Sequence, residues 1–346
     1  MKVEILSKEN ENEWKNFVEN HSESNLYHTV EWKNVIEKTY KYKPFYIMAK
    51  GNDKKINGIL PMFEVRSIFF GKRTVSLPYS HSVGVLGGNV TVSGLVDFAK
   101  KIVDDRGLDY LEIKERPNIK LNGLKECPHY ICSFLYLKDS LDILWKNFDK
   151  SSVRWGIKKA EKNGVNVVEG KNIEDYKKFY KILLETRKHQ GLPAYSFSLF
   201  ENIYKNLGSN SKLYLAYKDD ICIAGLVLLF YKKEVIYAYA ASKRRYLNLQ
   251  PNNLLLWNAI KWSKNNGFDV FDFGITPPEH KNLLLFKSRW GTKNIKVPYY
   301  YYLNKIHELP LIDSTSPKFK SMIMLWKMFP IFISKRLGPY LLRHTG

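Results

Sequence analysis

One lysine stands inside an apolar run, Leu283-Leu284-Leu285-Phe286-Lys287-Ser288-Arg289-Trp290-Gly291. Its ammonium, flanked by Phe286 and Trp290, must either snorkel to water or face a cleft where charge is useful. In a cleft, a fixed positive charge stabilises a developing oxyanion. A second concentration of charge is Ser152-Val153-Arg154-Trp155-Gly156-Ile157-Lys158-Lys159-Ala160-Glu161-Lys162, with four cations in two or three turns. That pattern suits a grip on phosphates; a solvated basic face is the simpler reading. Metal chemistry has no comparable foothold. Cys127, Cys132 and Cys222 lack metal-ligand spacing, and their odd number argues against a disulfide framework.

The elements that must position these groups come from a repeat. Pro44 to Ile113 and Lys212 to Phe273 read as two versions of one βαβ pattern. Phe45-Tyr46-Ile47-Met48-Ala49 and Ile56 to Phe63 are answered by Leu213-Tyr214-Leu215-Ala216-Tyr217 and Ile223 to Phe230. Each copy then carries a helical stretch and a Gly-led strand, Gly107-Leu108-Asp109-Tyr110-Leu111-Glu112-Ile113 and Gly267-Phe268-Asp269-Val270-Phe271-Asp272-Phe273. A helix closed by glycine before a short apolar strand is a βαβ crossover, because parallel strands need a covering connection. Two copies of one fold are expected; two unrelated α/β domains are the alternative. Helices are expected at Glu11 to Asn20, Val30 to Tyr40, Leu141 to Phe148, Ser151 to Asn163 and Glu174 to His189. Gly71-Lys72-Arg73 reads as a basic turn, and the Gly84 to Gly88 loop as backbone facing a substrate.

The formal net charge is +21, a field that attracts polyanions such as nucleic acid, nucleotide or anionic lipid. Coding bias toward Lys, Asn and Ile produces the same excess, so charge names a class of partner only. No signal-peptide-like run opens the chain and no stretch reaches the ~18 apolar residues of a span. Cytoplasm is therefore expected, with a peripheral position on the inner face of the membrane as its extension. Met322 to Ile333, followed by Lys335, Arg336 and Arg343, mixes Trp, Phe and cations in the manner of an interfacial helix. A helix packed on the core is the other reading.

Tyr237-Ala238-Tyr239-Ala240-Ala241-Ser242, Trp257-Asn258-Ala259-Ile260, Asp272-Phe273-Gly274 and Phe286-Lys287-x-x-Trp290-Gly291 together resemble the FemAB-like transferases. Leu26 to Trp32, Arg154 to Ala160 with Gly164-Val165, and Thr186 to Pro193 support the resemblance, which covers most of the chain. It implies an α/β (α+β) fold of two tandem acetyltransferase-like (GNAT) domains with mixed sheets flanked by helices. The expected divisions are 1–138, 139–305 with the transfer site, and a basic tail at 306–346. It also implies an N-acyltransferase that passes an aminoacyl group from charged tRNA to an amine of a cell-envelope precursor, lipid-linked in one version. By the same resemblance Lys287 steadies charge on the acyl oxygen, Tyr239 lines the same cleft, and Asp272 is an acid/base or positioning group that otherwise caps a turn. Arg154 and Arg187 become candidates for phosphate or carboxylate contacts, since guanidinium binds both in bidentate fashion. Tyr195 and Asn252 complete the expected substrate contacts.

The sequence departs from the family at three points. Ile36 stands where members acting on nucleotide-linked wall precursors tend to carry Lys, Tyr195 replaces an Arg expected shortly after Gly191, and the charged coiled-coil arm is absent. The acceptor is thus open between murein, another envelope glycopeptide and a polysaccharide amine. Acyl-CoA enzymes of this fold hold pyrophosphate on a glycine-rich loop, whereas Arg244 to Asn253 has no glycine. An aminoacyl-tRNA donor is favoured over acyl-CoA, and no bound cofactor is expected. An acyl-CoA-dependent acyltransferase of exopolysaccharide synthesis and a non-catalytic polyanion-binding protein are the competing readings.

Overall fold

The computed structural model describes residues 1–68, 70–116, 119–310 and 316–345, with backbone alone at 128, 129 and 317–319. The chain forms two compact units, one of residues 1–130, 296–312 and 342–346 and the other of 131–295 and 313–341.

The first unit runs β1 (Lys2–Ile5), α1 (Glu11–Asn20), α2 (Val30–Tyr40), β2 (Lys43–Lys50), β3 (Ile56–Ser67), β4 (Gly71–Val75), β5 (Leu86–Gly87), α3 (Asn89–Asp105) and β6 (Tyr110–Lys114). Strand Lys293–Leu303 then returns to pair antiparallel with β6, from Tyr299 opposite Lys114 to Leu303 opposite Tyr110. That pairing assigns residues 296–305, expected in the second domain, to the first unit. The sheet order is β1-β2-β3-β4-β6 followed by that strand, with only β4 and β6 parallel. Alternation along β2 sends Phe45, Ile47 and Ala49 to the side of α3, where Leu95, Val96 and Ala99 meet them. Tyr46 faces the other way and packs at a tilt against Trp14 of α1, ring centroids 5.1 Å apart.

One expectation changes here. Gly71 to Arg73 opens strand β4 instead of making a turn, because Arg73 takes a parallel register with Tyr110. The Gly84 to Gly88 loop is tied into the sheet: Gly87 and Leu86 pair with Gly58 and Ile59, and the Gly84 amide donates to the Lys114 carbonyl at 3.0 Å. A Cβ at Gly84 would lie 2.6 Å from Glu115 Oε1, so that glycine is there for close approach.

The second unit repeats the plan. It contains β7 (Lys125–Tyr136, from residue 131), α4 (Leu141–Asn147), a wide helical turn at Lys150–Arg154, α5 (Trp155–Lys162), β8 (Val165–Gly170), α6 (Ile173–Gln190) and α7 (Phe197–Leu207). After these come β9 (Ser211–Lys218), β10 (Ile221–Tyr231), β11 (Glu234–Ser242), α8 (Pro251–Asn265), β12 (Val270–Thr276) and α9 (Lys281–Ser288). Its sheet order is β8-β9-β10-β11-β12-β7, again with one parallel pair, β11 and β12. Over the first five strands this is the order of the first unit, while the sixth, β7, precedes the others in the chain where Lys293–Leu303 follows them; the sequence repeats at Ile56–Phe63 and Ile223–Phe230 fall on the matching strands β3 and β10. On one face, Ala224, Leu226 and Leu228 join Leu255, Leu256 and Ile260 of α8 in the core. On the other, Gly225 leaves room for Phe179 of α6, whose ring carbon would lie 2.7 Å from a Cβ there.

The tail forms α10 (Pro317–Met328) and α11 (Ile331–Leu342). Ile323 of α10 lies over Gly191, and Gly338 of α11 lies against the Ala194 backbone. Both helices pack on the second unit by one face only. Among the described residues, no helix is long and apolar enough to cross a membrane.

Candidate functional site

β11 and β12 run parallel but pair only from Glu234–Val270 to Ile236–Asp272. Beyond that, β11 continues to Ser242 and β12 to Thr276 with no pairing between them. The parting begins at an irregularity in β12, where the register with β7 shifts between Asp272 and Ile275. Two residues make that bulge. Gly274 takes φ +75°, a left-handed conformation that costs an L side chain ~1–2 kcal/mol. Asp272, buried, accepts a hydrogen bond from the Gly274 amide at 2.6 Å through Oδ1. The Cys132 thiol of β7 donates to the same oxygen at 3.2 Å. Burial, with the Asp272 charge beside it, pushes the Cys132 thiol well above its ordinary range, so it stays protonated and serves as a donor.

Lys287 comes to this bulge from the last turn of α9. It does not snorkel: the residue is only 4% exposed. Its Nζ donates to the Gly274 carbonyl at 2.6 Å and to the Ile275 carbonyl at 3.3 Å. An ammonium has three N–H donors, so these bonds leave one for another acceptor. Burial lowers its pKa to about 8, against the opposing pull of the Asp272 charge. α9 is anchored behind it by Trp290, fully buried, whose ring meets Phe148 at 5.1 Å and Phe273 at 6.3 Å. The apolar setting that singled out Lys287 in the sequence is thus its anchor and the cause of its depressed pKa.

On the β11 side, Tyr237 meets Phe273 at 5.9 Å. Two residues on, Tyr239 packs edge-on against Tyr195 at 5.3 Å and Phe200 at 5.2 Å. The guanidinium of Arg187 lies over the Tyr195 ring at 4.9 Å, while its Nε donates to the Pro193 carbonyl at 3.0 Å. Arg187 is placed there by α6, whose ends are strongly specified. Asn172 caps its start, Glu174 and Asp175 fill the first turn, Arg187, Lys188 and His189 the last, and Gly191 closes it at φ +72°. Burial raises the Tyr239 phenol well above its usual range, keeping it neutral.

The structure therefore brings together Lys287 with Asp272, and Arg187, Tyr195 and Tyr239 as a second cluster. Asn252 is taken up locally: its Nδ2 donates to Ser242 Oγ at 3.1 Å, and the Thr186 hydroxyl binds the Ser242 carbonyl at 3.1 Å. These bonds hold the end of β11 between α6 and α8. Arg154 stands apart, at the head of α5, with its Nε buried and without a hydrogen-bond partner. It neighbours the start of α8, where Asn253 Nδ2 donates to the Ser152 carbonyl at 3.2 Å. A Cβ at Gly156 would lie 2.5 Å from that amide nitrogen, so α5 sits tightly on the first turn of α8. The turn before α8, Arg244–Leu249, is 3-10, and Gln250 takes φ 58° without being glycine. Sequence reasoning missed Cys132 and Thr276, both fully buried in this neighbourhood. Cys132 is revealed only by the strand pairing of β7 with β12, because it is remote in sequence from the lysine motif, whereas Thr276 closes the strand that carries Asp272. Ile36, fully buried, is a core residue of the first unit.

Residues 149–282 match a family model described as Acetyltransferase (GNAT) domain. Within the chain, 107 residues are 28% identical to the Lipid II:glycine glycyltransferase of Staphylococcus saprophyticus subsp. saprophyticus, covering 29% of this chain and 26% of that relative. The chain thus spans about a quarter of the length of the curated relative it matches. Among solved structures, FemX is similar over 88% of this chain and 98% of its own, with a TM-score of 0.68 at 17% identity. A tandem GNAT protein from the clavulanic acid biosynthesis pathway is similar over 87% and 98%, with a TM-score of 0.53 at 9% identity. At such identities the likeness is one of fold, and it is the fold of two consecutive GNAT units seen here. The matched residues 149–282 fall within the unit that also carries Lys287, and in sequence and fold the chain is similar to FemAB-like, GNAT-related transferases.

Proposed function

We propose that the protein is an aminoacyl transferase acting on an amine of a cell-wall precursor, with the second unit as its transfer site. The observation that carries this reading is the buried Lys287 ammonium held on the Gly274 and Ile275 carbonyls where β11 and β12 part. In the proposed reaction the acceptor amine attacks the ester carbonyl of an aminoacyl-tRNA. The new C–N bond forms, the ester C–O bond breaks, and the amine proton passes to the departing ribose hydroxyl. The carbonyl oxygen is negative in between, and the remaining N–H of Lys287 stabilises it where low dielectric makes the charge count. Asp272 is a positioning residue in this account: it fixes the bulge whose carbonyls hold the lysine. Tyr239, Tyr195 and Arg187 form the wall on the β11 side, with the guanidinium available to a carboxylate or phosphate.

The donor preference for tRNA over CoA is supported by the start of α8, where α5 packs closely and the preceding turn offers no glycine for backbone approach to a pyrophosphate. The curated relative's name concerns glycine transfer to lipid II; the transferred residue and the acceptor peptide of this chain are matters for the assay. The test is single-turnover transfer from a panel of aminoacyl-tRNAs to lipid-linked and soluble wall precursors, with acyl-CoA as the competing donor. Turnover with acyl-CoA alone would overturn the reading.

A further inference from the structure

We propose that the outer face of α10 and α11 docks on the surface of an anionic lipid bilayer. Both helices are half committed to the protein. Ile323 of α10 lies over Gly191 and Gly338 of α11 against Ala194, and Trp326 and Ser334 on the same sides of the two helices are buried. The opposite side of α10 carries Met324, Leu325 and Met328 at i, i+1 and i+4, with Met322 at its flank, and all four are exposed. Met324 is 70% and Met328 74% exposed, where a side chain resting on protein would be covered. α11 continues the surface with Phe332, 70% exposed, and Tyr340.

Charge identifies the occupant. From 316 to 345 the sequence has Lys318, Lys320, Lys327, Lys335, Arg336 and Arg343 and no Asp or Glu. A second protein would ordinarily be matched by charges of both signs at the rim, whereas an anionic bilayer presents one sign everywhere. Flexible Met and Leu side chains, an exposed Phe and Tyr, and cations alongside are the composition of helices lying ~5–10 Å into the headgroup boundary. Neither helix is long enough to cross.

The full-length protein should sediment with vesicles of phosphatidylcholine and phosphatidylglycerol, and far less with phosphatidylcholine alone. Each cation near an anionic surface is worth ~1 kcal/mol, about fivefold. Lys335→Gln with Arg336→Gln should thus lower vesicle partitioning about 25-fold, and Met324→Glu with Met328→Glu and Phe332→Glu should abolish it. Thermal melting should be unchanged in both, since every altered side chain is exposed. Equal binding to both vesicle types, undiminished binding by the folded variants, or a concentration-dependent dimer dissolved by the glutamates without any vesicle binding would each overturn the proposal. Transfer to a soluble acceptor is read separately and is indifferent to it.

Discussion

The two units share the order of five strands and treat the same point in it in opposite ways. In each, one parallel pair starts with three register positions and carries an acid at the third, Glu112 in β6 and Asp272 in β12. In the first unit the strands are then stitched together. The Ser76 amide donates to the Glu112 carbonyl at 2.8 Å, the Lys114 amide to Ser76 Oγ at 2.7 Å, and Lys114 Nζ to the Leu77 carbonyl at 3.2 Å. In the second unit the residue two past the acid is Gly274 where the first has Lys114, and the strands part. The cation there arrives from a separate helix. A duplicated fold can thus hold one closed copy and one open copy, the difference resting on which strand supplies the hydrogen bonds at one junction.

The sharpest way to break this comparison is to remove each lysine in turn. Lys287→Met keeps the stem and deletes the donor, and single-turnover transfer should fall ~100 to 1,000-fold. Lys114→Met should leave transfer nearly intact; an equal loss there would refute the assignment of chemistry to the second unit. Thermal melting of Lys287→Met should stay close to the parent, because relief of burying a charge offsets two lost hydrogen bonds.

A large effect of pH follows from the pKa of about 8 at Lys287, depressed by burial. Transfer should decline about tenfold per pH unit above that value, as the ammonium loses its proton. Stability should move the other way. Between about 8 and the ordinary 10.5 the folded protein binds fewer protons than the unfolded chain, so unfolding becomes costlier as pH rises through that window. Lys287→Arg should remove the alkaline decline, and a profile that keeps its shape in that variant would locate the titrating group elsewhere.

Asp272→Asn should have a moderate effect. The side chain keeps its shape, but the charge that props up the Lys287 ammonium is gone, so the alkaline limb should move to lower pH. A merely structural aspartate would change melting and leave the limb where it is. Smallest is Gly274→Ala, which should cost ~1–2 kcal/mol by forcing an alanine to φ +75°, read as a lower denaturant midpoint.

Much of this was legible in the sequence because it is written in periodicities. The helices at Glu11–Asn20 and Val30–Tyr40 match their expected bounds, and the repeat at Ile56 and Ile223 located equivalent strands. Lys287 stood out for being charged among apolar neighbours, a local signal. What stayed hidden was non-local. Cys132 and Asp272 meet across β7 and β12, 140 residues apart, and nothing in either segment announces the other. The same holds for strand Lys293–Leu303, whose partner β6 is far upstream. Gly71 misled because a positive-φ glycine opens a strand as readily as it makes a turn.

That returning strand sets the order in which the molecule can be completed. The first unit has most of its residues by Tyr130 but lacks its last strand until Lys293 onward is made. At ~5–20 residues per second of synthesis, the wait is roughly 8 to 30 s, during which β6 has an unoccupied edge while the second unit's own strands emerge. The amino-terminal half is therefore begun first and finished late. An edge left open that long is a site for a chaperone or for mispairing with another nascent chain, and the protein's yield in a cell should depend on that interval more than on the stability of the finished fold.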